Sequence, residues 1–146
     1  MRTSRLARVL TSALLAGTAL AALSGPASAA TPGIACKKLT GTITGTVTLA
    51  SCTGNTGGAS KPLPAATLAS GGTITWQNGK TTTVTLKVTQ GPGTKCAAGS
   101  TEYDAKGKTT KDTTGSALIG GKVKANVCVS AAGAVSLLPG SKATIQ

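Results

Sequence analysis

The chain has 146 residues, 15 lysines and arginines against three acids, and neither histidine nor phenylalanine. That length makes one domain beside any leader, and the missing imidazole removes the commonest acid–base catalyst at neutral pH. One tryptophan and one tyrosine are too few for a nucleic-acid stacking platform.

Residues 1–30 read as a secretory signal peptide. Arg2, Arg5 and Arg8 form a basic head, Val9 to Leu23 an apolar run, and Ala27-Ser28-Ala29 a small-x-small cleavage pattern after Ser24-Gly25-Pro26. Cleavage after Ala29 or after Ala30 fits equally well. The run is short for a retained anchor, and no cysteine stands where a lipoprotein needs one. The expectation is a secreted, extracellular protein whose residues 31–146 form a single all-β domain. Beyond the leader, 12 lysines face three acids, a net charge of +9, and arginine is absent.

Leu39 to Leu49 alternates strictly, with Leu39, Ile43, Val47 and Leu49 on one parity and threonine at every even position. β-Branched residues crowd a helix and fit a pleat, so this is strand. One bent strand or two shorter ones both fit. Residues 53–64, rich in glycine and containing two prolines, read as a loop crossing between sheets.

Residues 72–88 form the clearest hairpin. Ile74, Trp76, Val84, Leu86 and Val88 all sit at even positions and share a face only if paired numbers sum to an even value. A two-residue Asn78-Gly79 turn breaks that rule. A three-residue loop, Gln77-Asn78-Gly79, satisfies it, pairs Trp76 with Lys80 and puts Gly79 at the left-handed position. Gln90-Gly91-Pro92-Gly93 is the next break. Cys96 to Thr114 reads as a polar, lysine-rich excursion, with a hairpin over 102–108 that turns at Gly107. After Gly120-Gly121, Lys122 to Ser130 alternates with Val123, Ala125, Val127 and Val129 inward and Cys128 outward. Ala134 to Leu138 is a further strand, ended by Pro139-Gly140. Short strands with frequent turns make an antiparallel β-sandwich or small barrel.

Four cysteines in an exported chain point to two disulfides. Cys36–Cys52 with Cys96–Cys128 is favoured, since each closes a local segment. A straight first strand would hold Cys36 and Cys52 roughly 50 Å apart, far beyond bonding reach, and would force the rival Cys36–Cys128 or Cys36–Cys96; a bend at Gly41 or Gly45 brings Cys36 and Cys52 together. With no CxxC pair and no histidine, no metal site or cofactor is expected.

The pattern Cys36-x-x-Leu39-x-Gly41, Leu49-x-x-Cys52, Thr73-Ile74-x-Trp76-x-Asn78-Gly79, Cys96 and Val127-Cys128-Val129 with Val135-Ser136-Leu137 resembles small secreted actinobacterial proteins of unassigned function. The resemblance implies a secreted all-β domain and no activity.

Glu102 and Asp104 share a strand face, the arrangement of a glycosidase carboxylate pair, but their lysine-rich surroundings favour solvated ion pairs. No enzyme is expected. The leading reading is a monomeric, non-enzymatic extracellular or cell-envelope binding protein. Its partner is an anionic wall polymer or membrane surface met by Lys80, Lys87, Lys106, Lys108 and Lys111. Nucleic acid is set aside because arginine is missing. Two alternatives stand beside it: an inhibitor presenting the 53–64 loop, and a carbohydrate-binding module using Trp76 as a sugar platform. The even parity of Trp76 argues instead for a core plug.

Overall fold

Strand-forming alternation runs through most of the chain, and glycine or proline marks where pairing stops. The computed structural model describes residues 33–146; the expected leader and its cleavage site lie outside them. The elements are β1 (Ile34–Thr42), β2 (Thr46–Cys52), β3 (Leu63–Pro64), α1 (Ala66–Ser70), β4 (Gly71–Thr75), β5 (Thr81–Gln90), β6 (Ser100–Asp112), β7 (Lys122–Ser130), β8 (Ala134–Leu137) and β9 (Ala143–Ile145). The domain is all-β and antiparallel, as expected.

The strands lie in the order β3-β2-β1-β8-β7-β6-β5-β4, with β9 also pairing β1 and β7. β8 and β9 run in line as one stave, interrupted by residues 138–142. The two apparent edges then meet. Ser60 bridges to Trp76, the Lys61 N–H donates to Thr75 O at 2.8 Å, and the Gln77 N–H donates to Ala59 O at 3.0 Å. On its other side the same segment pairs with β2 through Ala50–Ala59 and Val47–Leu63. The architecture is therefore a closed up-and-down barrel of eight staves, the second of the two forms anticipated. Closure removes the exposed edges that an open sheet presents for aggregation.

This corrects the reading of residues 53–64 as a free crossing loop. Residues 59–64 are a stave, and Thr56 and Ser60 are fully buried. The Ser60 hydroxyl accepts from the Leu49 N–H at 2.9 Å, tying the segment to β2.

The central hairpin has the three-residue loop that parity requires. Ile74 lies opposite Thr82 and Thr75 opposite Thr81; Trp76 and Lys80 close the loop, and Gly79 takes φ +81°. The 39–49 run is two strands turning over residues 43–45, which sets Cys36 directly opposite Cys52. Both expected disulfides are present, Cys36–Cys52 and Cys96–Cys128. Ile43 leaves the inward set and stands 54 % exposed at the turn.

The hairpin placed over 102–108 does not exist. β6 runs unbroken for 13 residues, and Gly107 lies inside it, opposite Leu86 and Val123. Glycine is there for close approach, since a Cβ at that position would fall 1.7 Å from the Thr85 carbonyl oxygen.

The barrel interior is filled unevenly. At the lower end, where β4 stops and β5 starts, Trp76 is fully buried with Thr82, Ile34 and Ala117 near it in the same sealed end. At the upper end, near α1 and the β1–β2 turn, the inward residues are Leu, Val and Ala, with Tyr103 the one aromatic among them.

Candidate functional site

The chamber follows from side-chain size. Across the middle of the wall, Val88 faces Ala105 and Ala105 faces Ala125; one step lower, Leu86 faces Gly107. Small residues on two neighbouring strands, β6 and β7, leave space that no phenylalanine exists to fill. An eight-stranded barrel is just wide enough either to be packed solid or to hold one small ligand. Here Trp76 packs the lower end and a cavity of about 370 Å³ occupies the rest.

Its lining is almost wholly aliphatic. Leu39, Leu49, Ile74, Val84 and Val127 form its deep walls, and α1 contributes Leu68. The cavity opens upward, where the exposed Ile43, Ala66 and Ala69 are part of its rim. Half-buried Tyr103 brings a phenol to the lining; Lys124 and Thr144, paired across β7 and β9, border the cavity, although Lys124 itself is exposed on the outer wall. Such a chamber offers hydrophobic contact and one or two hydrogen-bonding groups, with no carboxylate and no thiol.

The lysines expected to form a patch are mostly brought together. Lys87 stands opposite Lys106, and Lys106 opposite Lys124; Lys108 stands opposite Lys122. Lys111 continues the row opposite Thr83. All six are exposed on the outer wall of β5, β6 and β7. Lys80 is not among them, because it closes the hairpin beside Trp76 and is half-buried. Lys122 and Lys124 complete the wall; their outward alternation in the sequence was the available signal. Like charges directly opposite each other in a ladder are destabilising, so this wall is maintained against a local cost.

Glu102 and Asp104 lie on the outer face of β6, on the side away from the chamber. Glu102 is only 3 % exposed, packed beneath Gly91 and opposite Cys128, and its Oε2 has no hydrogen-bond partner among the described residues. Asp104 accepts from Asn126 Nδ2 at 2.6 Å. Neither carboxylate lines the cavity. Trp76 is 0 % exposed and has no ring face to offer a sugar. Among the described residues no group of three His, Cys, Asp or Glu could hold a metal ion, and no helix is long and apolar enough to cross a membrane.

Fold and interior together define a small closed β-barrel with an apolar chamber. No known family, curated protein or solved structure matches the chain.

Proposed function

We propose that this is an exported, non-enzymatic binding protein that holds one small, uncharged, largely hydrocarbon ligand in the upper barrel. The carrying observation is the cavity of about 370 Å³ with its aliphatic lining. Small-molecule sites occupy about 300–1,000 Å³ and are mostly apolar with a few placed polar groups. Tyr103 is placed to meet a hydroxyl or carbonyl on the ligand. A charged ligand would lose its hydration against Leu, Val and Ala with no compensating partner. Export is supported by the leader-like N-terminus and by the two disulfides, which persist in oxidising compartments.

Titration with an apolar fluorophore such as N-phenyl-1-naphthylamine tests the reading, together with mass spectrometry of organic extracts of the purified protein. Saturable one-to-one binding is expected, reduced at least tenfold in A125F and V129F, which fill the chamber. Emission from Trp76, outside the cavity, reports that these variants stay folded. Undiminished binding in the filled variants, or no binding by the wild type, rejects it.

A further inference from the structure

The lower end of the barrel carries a feature the chamber does not explain. Residues 113–121 join β6 to β7 and present Leu118 and Ile119 to solvent, 50 % and 74 % exposed. The loop around them is firmly held. Asp112 accepts from the Thr114 hydroxyl and from the Gly115 and Ala117 N–H groups, and Ala117 is buried beneath it. The Gly120 N–H donates to Thr109 O at 2.7 Å, and the Gly121 N–H donates to Leu118 O at 2.9 Å. Leu118 and Ile119 therefore project from a fixed tip. Lys111 lies just before this loop and Lys122 just after it; Lys108 stands opposite Lys122, and the rest of the lysine wall rises behind.

We propose that this tip docks on an anionic lipid bilayer. Leu118 and Ile119 enter the boundary between headgroups and acyl chains, while Lys108, Lys111 and Lys122 meet the lipid phosphates. Charge alone would suit a polar anionic polymer equally well, but a polymer gives two bare aliphatic side chains nothing to contact. A bilayer satisfies both features: basic residues are drawn to its negative surface and apolar ones to its interface. The inference does not depend on the chamber being occupied. Docking in this pose leaves the cavity mouth, at the opposite end, facing water.

The test is cosedimentation of the full chain with vesicles of phosphatidylcholine, with and without phosphatidylglycerol. Binding is expected only with phosphatidylglycerol. L118S/I119S, which keeps every charge, and K108E/K111E/K122E should each weaken it at least tenfold. K37E/K38E/K142E, the same charge change elsewhere on the surface, should stay within about threefold. I119W should shift its emission to the blue on adding vesicles, while Trp76 emission confirms an intact fold. Three results overturn the proposal. The first is no retention by phosphatidylglycerol vesicles, and the second an equal loss in both lysine triples. The third is unchanged binding of L118S/I119S that soluble polyphosphate displaces, which assigns the wall to a polymer.

Discussion

Trp76 Nε1 donates to Thr82 Oγ1 at 2.8 Å inside the sealed end of the barrel, and Thr82 passes its own hydroxyl hydrogen to Asp112 Oδ1 at 2.6 Å. Both Trp76 and Thr82 are fully buried. One threonine thus satisfies the indole and orients the carboxylate that holds the 113–121 loop. T82V keeps the shape and removes both bonds, leaving a buried N–H and a carboxylate oxygen short of a partner. The expected loss is about 2–4 kcal/mol, against about 1 kcal/mol or less for T82S, which retains the hydroxyl. Urea denaturation followed by Trp76 emission measures both; equal losses would mean that the methyl group, and not the hydroxyl, matters.

Asp112 also makes part of the stability pH-dependent. Burial alone raises its pKa, but hydrogen bonds from Thr82, from Thr114 and from the Ala117 and Gly115 N–H groups outweigh it and hold the carboxyl below its ordinary value. A carboxyl with a lower pKa folded than unfolded favours the folded state when ionised. That contribution is complete above the ordinary aspartate value of about 3.9 and fades as pH falls through the lower folded value. Denaturation midpoints should therefore drop more steeply in the wild type than in D112N below about pH 4, and D112N should be the less stable protein at pH 7. Parallel acid profiles in the two proteins would contradict this.

The legible and illegible parts of the fold differ for a physical reason. Where one face is aliphatic and the other threonine, as in Ile74–Val88, parity fixed the loop length to the residue. In β6 the inward positions include Tyr103, Ala105 and Gly107 and the outward ones Glu102, Asp104, Lys106 and Lys108, so the apolar alternation is faint and Gly107 looks like a turn. Closure through residues 59–61 uses backbone groups of Ala59, Lys61, Thr75 and Gln77, which leave no trace in side-chain type. The chamber is a deficit of volume spread over β6 and β7, visible only once Ala105 and Ala125 are known to be neighbours. Cross-strand register likewise made Lys122 and Lys124 part of the wall.

Gly107 supplies a sharp test of the unbroken β6. An alanine Cβ there would fall 1.7 Å from Thr85 O, on backbone that two strand ladders hold in place, so G107A should cost no less than about 3 kcal/mol. Gly99 is the control: it has φ +79° and nothing within 4 Å of the added carbon, so G99A should cost only about 1 kcal/mol. Were Gly107 a solvent-exposed turn, the two substitutions would cost the same.

The disulfides should prove unequal, and Glu102 explains part of the difference. Cys36 and Cys52 are 16 residues apart and Cys96 and Cys128 are 32 apart. Chain entropy alone gives about 3 kcal/mol for the first and about 4 kcal/mol for the second. Cys128, however, lies opposite Glu102, whose buried Oε2 has no partner among the described residues. Opening the Cys96–Cys128 bridge frees the 91–99 segment and lets water reach that oxygen, which returns some of the carboxylate's desolvation cost. C96S/C128S should therefore lose less than the entropic figure. In an E102Q background, where there is less charge to rehydrate, the same pair of substitutions should lose more. A double-mutant cycle by urea denaturation reads the coupling directly; a coupling near zero would show that the bridge acts on the unfolded chain alone.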